Sequence, residues 1–491
     1  MRYAKLDGLL LTLLVIARVR IDTLAEAAVL PLRQQDVARH PLLGQLLSPT
    51  AMDLLAQQGF ADPITLLLIV IALAALTVYL VISFSAKQLS RRVYRAKLAL
   101  IWLIVVLTVV APTLKMTLLR QQSGPASYAH DGGVIQTEAT IEYFLSGRNP
   151  YIEDYLQTPM AEWGLGEFRT ALYHYPYLPW TFVFSAPFYR LGQAVLGWYD
   201  QRFVYLLLFV ITLAFAPALT RKRDSKLLLV MALGLNPIMG SDVIFGQNDS
   251  FVLFWIVLSL WLLARSSEMP NDRRAAPWQL GSAAAFGLAC ASKPTAWFLA
   301  PFYALLLAPP LPPFIPPNGG KTGGGQETGA PPLHPPQWGG KRGKNRLVTL
   351  ARRAWPALAV FLLLVLPYLI WDAWAMVDDV WLWASGRGEH AYQIWGWGAS
   401  NLLLALGWVN SRFDYWPFWL LQLSVCGPLL AYLLRRQWQE NRIAAACSNY
   451  ALFLLVFFFL SRFLNENYLG YILAFLTLGV LGRDDLLSVE S

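Results

Sequence analysis

Charged residues are scarce in this sequence. Asp, Glu, Lys and Arg make up 14% of its 491 residues, and hydrophobic residues make up 56%. A soluble globular protein carries about 25% charged residues. The deficit argues against an ordinary soluble protein and predicts a membrane protein. Apolar runs of spanning or near-spanning length occupy residues 64–84, 98–116, 202–219, 227–240, 251–264, 279–292, 295–309, 355–374, 415–434, 444–462 and 467–482.

Acidic residues are fewer than basic ones, 30 against 39, which leaves a net charge of +9. A soluble protein of this charge would be a candidate nucleic-acid binder. Here the basic residues cluster in short segments between apolar runs, where positive charge fixes the orientation of spans. We therefore expect membrane lipids as partners and no nucleic acid.

Cysteine is also rare. The three cysteines, Cys290, Cys426 and Cys447, lie in apolar runs without metal-ligand spacing, so we expect buried thiols and no disulfide framework. The sequence has no Walker loop, dinucleotide glycine fingerprint or HExxH, and no GxSxG in a strand-to-helix setting. Few acids lie inside the apolar runs, so a relay for proton or ion coupling is not evident.

Five basic clusters predict the topology. When all five are placed in the cytoplasm, the segments 117–201, 241–250, a turn near Lys293, 375–414 and 461–467 lie outside. In this threading, segments 175–196 and 402–408 do not cross the membrane. The clusters are Lys87, Arg91, Arg92, Arg95 and Lys97; Arg221, Lys222, Arg223 and Lys226; Arg273 and Arg274; Lys341, Arg342, Lys344, Arg346, Arg352 and Arg353; and Arg435, Arg436 and Arg442.

Two segments stand apart from this pattern. Arg18 and Asp22 follow a short apolar run at residues 9–17 and could pair on one helical face, so we expect an uncleaved first helix rather than a removed signal peptide. Residues 309–346 are dominated by proline and glycine and predict a disordered cytoplasmic linker.

These patterns predict an all-α fold: a polytopic transmembrane helical bundle of about 11–13 spans, formed by one membrane domain over residues 1–491. Residues 117–201 would form a large outer-face loop that contains amphipathic helices.

The first outer loop contains Asp131, followed by a helix in which Val134, Ile141 and Leu145 recur at helical spacing. A carboxylate at a bilayer surface is a candidate catalytic group, but Asp131 could also simply cap this helix. Glu138 and Glu142 share one face, which could contact substrate or only solvent.

The segment 240–250, GSDVIFGQNDS, crowds Asp242, Gln247, Asn248 and Asp249 between two apolar runs. Asn248 and Asp249 could be an ordinary helix N-cap, an explanation that fits Gln247 less well. A binding role is the alternative.

Lys293 precedes a proline between two apolar runs. A lysine at a membrane edge is costly and is a functional candidate, for which an anionic phosphate would be a suitable partner. A snorkelling lysine at a helix end is the other interpretation.

Two further outer segments combine polar and aromatic residues. Arg387 and His390 lie among the tryptophans of residues 381–397, which could stack on sugar rings or simply mark the membrane interface. The turn SRFLNENY between the last two apolar runs contributes Arg462, Asn465, Glu466 and Tyr468.

The combination resembles a known family. An acid after an early span, a helix, GRNPY, a YPYLP element, then FGQND, SKP and NENY are similar in order to the GT-C superfamily of polyprenol-phosphate-sugar-dependent glycosyltransferases. More narrowly, the pattern resembles the bacterial mannosyltransferase-like group called glycosyltransferase family 87. The motifs cover residues from about 98 to 482.

The resemblance implies that Asp131 acts as general base while a hexose, mannose-like, passes with inversion from a polyprenyl-phosphate donor to a lipid, glycan or protein acceptor. The reaction would occur on the outer face of a bacterial plasma membrane. Lys293, Arg387 or Arg462 would stabilise the leaving phosphate, and Gln247 and Asp249 would orient sugar hydroxyls.

The sequence departs from many relatives in two respects. Gly132 and Gly133 follow Asp131 where relatives carry a tandem acid pair, so we expect neither a cofactor nor a divalent metal. An extra hairpin of about residues 1–84 precedes the acidic loop.

The alternatives to a glycosyltransferase are a transporter or flippase for polyprenyl-linked sugars or lipids, and a non-catalytic polysaccharide-assembly protein.

Overall fold

A computed structural model describes residues 3–27, 29–163, 166–308 and 341–482. Over these residues the chain is almost entirely helical. In chain order the α-helices are α1 (Tyr3–Ala27), α2 (Leu30–Arg39), α3 (Pro49–Ala56), α4 (Pro63–Ser85), α5 (Arg91–Val105), α6 (Ala111–Ser123), α7 (Gln136–Leu145), α8 (Trp180–Leu196), α9 (Arg202–Phe215), α10 (Arg223–Gly234), α11 (Pro237–Phe245), α12 (Asp249–Ser267), α13 (Asp272–Cys290), α14 (Ala300–Leu307), α15 (Lys341–Val377), α16 (Trp383–Ser385), α17 (Ser400–Ala405), α18 (Phe418–Gln439), α19 (Ile443–Phe459) and α20 (Glu466–Leu481).

Shorter elements join these helices. A parallel pairing links strand β1 (Trp395–Gly396) to strand β2 (Phe463–Leu464). π-helical turns occupy Val106–Val110, Asp131–Ile135 and Asp378–Leu382, and 3-10 turns occupy Leu43–Gln45, Pro159–Glu162, Gly166–Leu172, Ala216–Leu219 and Pro294–Leu299. The predicted all-α class is confirmed.

Among the residues that the structure describes, six helical segments are long and apolar enough to cross a bilayer. The bent pair α10 and α11, which meet at 49°, makes a seventh if it counts as one span. The shorter apolar helices are Pro294–Leu307, α19 and α20. The chain is therefore a multi-pass membrane protein, and the larger count of about 11–13 spans stays a prediction. The six segments are Pro63–Ser85, Arg91–Ser123, Arg202–Leu219, Asp249–Ser267, Val348–Ser385 and Phe418–Gln439.

Helix α12 lies at the centre of the bundle. In the most apolar stretch of α12, 72% of the residues are buried, whereas the share is 17% in the corresponding stretches of α15 and α18. The reason is that α12 is apolar on all sides and packs against α9 and α13. The outward faces of α15 and α18 retain exposed leucine and tryptophan, as expected for surfaces that contact lipid.

The first helix is part of this body. Arg18 is fully buried, and its guanidinium lies 2.5 Å from Asp22 and donates to the Pro237 carbonyl at 2.7 Å. The predicted Arg18–Asp22 pair is confirmed, and it ties α1 to the start of α11.

The structure revises two of the predicted segment boundaries. Residues 309–340 of the predicted linker lie outside the described residues, and α15 begins at Lys341, before the predicted linker end at residue 346. Lys97, which we assigned to a loop cluster, is buried inside α5, where its ammonium lies 2.6 Å from Asp7. The ion pair compensates for burying that charge.

Candidate functional site

The Asp131 turn packs directly on the turn that follows α11. The His130 N–H donates to the Phe245 carbonyl at 2.7 Å. A Cβ added to Gly133 would lie 1.9 Å from the Gly246 carbonyl oxygen, so only glycine permits this approach. The tandem glycines after Asp131 thus bring two separately predicted motifs into contact.

Asp131 forms an ion pair with its neighbour His130. The Nδ1 of His130 is 2.6 Å from Oδ1 of Asp131, and the two side chains are 32% and 22% exposed. Burial would raise the pKa of Asp131, but the His130 charge and the backbone N–H of Gly132 outweigh it and hold that pKa below its usual value. Asp131 is therefore an ionised carboxylate that retains access to solvent.

Asp249 and Lys293 form a buried ion pair at the bottom of the same cluster. The Lys293 ammonium donates to Asp249 Oδ1 at 2.7 Å and to Asn248 Oδ1 at 3.0 Å. The Nδ2 of Asn467 donates to the other Asp249 oxygen. The sequence interpretation gave Lys293 a phosphate partner; in the structure Asp249 already neutralises its charge.

Aromatic rings connect this pair to Asp131. The Lys293 ammonium lies 5.7 Å from the ring centre of Tyr177 and 5.2 Å from that of Tyr468. A Cβ at Gly132 would be 3.0 Å from the Tyr177 hydroxyl, so that ring spans the space between Asp131 and Lys293.

Tyr392 closes another side of the cluster. Its hydroxyl accepts from Nδ2 of Asn465 at 3.4 Å. Burial raises the pKa of Tyr392 to about 12, and the Asp131 charge adds to that shift while Asn465 opposes it. Tyr392 therefore brings the 375–414 segment within electrostatic reach of Asp131.

The loops that surround the cluster are joined by backbone and side-chain contacts. Leu178 N donates to the Ser292 carbonyl at 3.0 Å, which seats the YPYLP element on the Lys293 turn. His174 pairs with Asp379 at 2.9 Å, and β1 pairs with β2 beside the last polar turn. The five loops that the charge pattern assigned to one side therefore lie together.

Most of the predicted site residues converge here. Asp131, Asp249, Lys293 and Tyr468 lie around Tyr177, and Asn248 contacts Lys293. Gln247 is half-buried against Gly133, and Asn465 reaches the cluster through Tyr392. Glu466 is exposed in the first turn of α20.

Glu138 lies elsewhere, on a separate cavity. It accepts two hydrogen bonds from the Arg120 guanidinium, at 2.7 and 2.8 Å, and one from Gln201 N at 2.8 Å. Arg120 also contacts Asp200. These partners occupy both carboxylate oxygens, and Glu138, Glu142 and Asp200 line a cavity of about 280 Å³.

Three other predicted residues are held away from Asp131. Arg387 is exposed and donates to the Tyr415 hydroxyl, and exposed His390 stacks on Tyr173 with 3.7 Å between ring centres. Arg462 is buried, but its guanidinium donates to the carbonyls of residues 392, 412 and 414. Arg462 therefore braces its loop, whereas Lys293, the third cation proposed for a phosphate, contacts Asn248 and Asp249 within the cluster.

The two helix-cap interpretations have different outcomes. Asn248 occupies the N-cap position of α12 but makes no capping hydrogen bond, because its side-chain oxygen accepts from Lys293 instead. At the first loop the N-cap is His130, and Asp131 lies inside the first turn, where a carboxylate interacts favourably with the helix N-terminus.

The sequence interpretation missed Tyr177, Asn467 and the His174–Asp379 pair, and it noted Asp242 in the 240–250 segment without giving that residue a role of its own. Tyr177 lies within the YPYLP motif and Asn467 within the NENY motif, so the motifs marked these residues as candidates. The motifs do not show in which direction either side chain points. The pairing of His174 with Asp379 joins residues 205 positions apart and has no local signature.

Within the described ranges, no group of three His, Cys, Asp or Glu side chains is arranged to hold a metal ion. Comparisons of the chain with protein-family models, with curated proteins and with solved structures find no match.

Proposed function

We propose that this chain is an integral membrane glycosyltransferase, resembling the GT-C superfamily and glycosyltransferase family 87. It would move a hexose from a polyprenyl-phosphate donor to a lipid, glycan or protein hydroxyl on the extracytoplasmic face of a plasma membrane. The observation that carries the proposal is the convergence of Asp131, Asp249 and Lys293, from three distant motifs, around Tyr177.

In the proposed reaction Asp131 accepts the proton of the acceptor hydroxyl. The acceptor oxygen forms a bond to the anomeric carbon as the bond from that carbon to the phosphate oxygen breaks. The polyprenyl phosphate leaves with the bonding electrons, and the proton on Asp131 passes to solvent. An ionised, partly exposed carboxylate suits this role, since a general base must be both deprotonated and within reach of the hydroxyl.

Lys293 would stabilise the leaving phosphate while it remains paired with Asp249. Its two contacts leave one ammonium proton for a third acceptor. The rings of Tyr177 and Tyr468 shield the ammonium from water, which strengthens its interaction with an anion.

A transporter for polyprenyl-linked sugars is the second candidate, favoured by the break between α10 and α11. Broken helices beside buried polar residues are a feature of transporter binding sites. Reconstituted vesicles separate the two functions, because a flippase moves a fluorescent polyprenyl-phosphate sugar between leaflets without glycosidic bond formation.

The decisive experiment supplies purified protein with a panel of radiolabelled polyprenyl-phosphate sugars and a membrane-lipid extract as acceptor. We expect transfer by the wild type and its loss in Asp131→Asn, which keeps the shape but not the basicity of the side chain. Asp53→Asn, on exposed α3, is the matched control. Full activity of Asp131→Asn would exclude Asp131 as the base.

A further inference from the structure

A buried carboxyl group beside the candidate site is not used by the proposed reaction. Asp242 lies in the second half of α11 and is only 6% exposed, yet its Oδ2 has no hydrogen-bond partner. Its backbone carbonyl oxygen already accepts two hydrogen bonds, from the N–H groups of Gly246 and Gln247. An unsatisfied buried carboxyl group is costly unless a ligand completes it.

The charged groups that face Asp242 do not neutralise it. Asp249 and Glu466 carry the same sign, and the facing cations are Lys293 and Arg18. Lys293 donates to Asn248 and Asp249, and Arg18 donates to Asp22, Ser241 and two backbone carbonyls. Neither cation makes a hydrogen bond to Asp242.

A buried donor without a partner lies across the same turn. Asn248 is 2% exposed, and its Nδ2 has no hydrogen-bond partner although Lys293 fixes its Oδ1. Asp242 and Asn248 thus offer an acceptor and a donor at the two ends of the Gly246–Gln247 turn. A hydroxyl group can satisfy both, because it donates one hydrogen bond and accepts others.

The helix that carries Asp242 is anchored at its N-terminus. Asn236 caps α11 and donates to the Gly470 carbonyl at 2.8 Å, and Arg18 holds the Pro237 carbonyl. The turn itself packs on Gly133, two residues from Asp131. A group bound between Asp242 and Asn248 would therefore lie beside the proposed base.

We infer that Asp242 and Asn248 form a hydroxyl-binding subsite that positions the transferred sugar. This inference rests on the proposed glycosyltransferase function. The acidic character of the subsite fits the uncharged, polyhydroxylated part of the donor and disfavours its phosphate, which belongs nearer Lys293.

The test combines variants of Asp242 with altered donors. Transfer is measured from polyprenyl-phosphate mannose and from analogues that each lack one sugar hydroxyl, using wild type and Asp242→Ala. With the complete donor we expect kcat/KM of the variant to fall roughly 10- to 100-fold, because one sugar hydroxyl loses its hydrogen-bond partner in the site. With the one analogue that lacks the contacted hydroxyl, wild type and variant should be nearly equal.

The control variants are Asp53→Asn, expected to match the wild type with every donor, and Asp242→Asn, which keeps one acceptor and should lose less than Asp242→Ala. If Asp242→Ala does not fold, judged by gel-filtration elution, Asp242→Asn supplies the comparison. An equal penalty with every donor overturns the inference and leaves the glycosyltransferase proposal standing. Absence of transfer by the wild type from any sugar in the panel overturns both.

Discussion

The His130–Asp131 ion pair should set the pH dependence of the proposed reaction. Asp131 can act as a base only above its own pKa, which His130 lowers. In His130→Gln the opposing effect of burial remains, so the pKa of Asp131 should rise. We expect the acidic limb of the kcat/KM pH profile to move to higher pH. A limb that stays in place would mean that Asp131 is not the group observed to titrate.

Removal of Lys293 should cost more than removal of its whole ion pair. Asp249 is fully buried, so Lys293→Met leaves an uncompensated charge and should destabilise the protein by about 3–5 kcal/mol. Lys293→Met combined with Asp249→Asn removes both charges and should recover part of that loss. Thermal unfolding of the single and double variants in one detergent measures the difference. Simple additivity of the two single effects would contradict a direct pair.

At the scale of elements, the contact between the Asp131 turn and the end of α11 depends on Gly133. Gly133→Ala would place a methyl group 1.9 Å from the Gly246 carbonyl oxygen, and the three nearest atoms are all backbone atoms of Gly246 and Gln247. We expect a loss of about 1–3 kcal/mol in stability from overpacking, together with reduced sugar transfer because the two turns separate.

Gly281→Ala is the matched control for that substitution. Gly281 lies inside α13, and the nearest atom of another residue to its added Cβ is Cδ1 of Leu262 at 3.6 Å, an ordinary van der Waals contact. Alanine should therefore be neutral there or stabilise by up to about 1 kcal/mol through helix propensity. Equal stability of the Gly133 and Gly281 variants would show that the two turns do not approach this closely in solution.

At the scale of the whole molecule, the charge pattern predicts the sidedness of the site. The helical segment Arg91–Ser123 has 33 residues and is about 50 Å long, longer than the bilayer core. In a background without native cysteines, Gln122→Cys should react with an impermeant maleimide on intact cells. Gln88→Cys, beyond the other end, should react only after permeabilisation. Labelling of both from the outside would contradict the threading.

The sequence by itself determined the helical class, the apolar runs and the helix after Asp131. Each follows from local composition or periodicity, and the Gly147 stop lies where the helix ends. That the five polar loops would lie together was also predictable, because positive charge orients spans independently of their packing.

Only the tertiary structure decided which of those polar residues meet. Lys293 binds Asp249, whereas Arg462 donates to loop carbonyls and Glu138 joins Arg120. In the sequence these were charged residues of the predicted outer segments, and nothing local distinguished their roles. Their partners are fixed by the rotation of each helix and by contacts across long separations, such as His174 with Asp379, which local patterns do not encode.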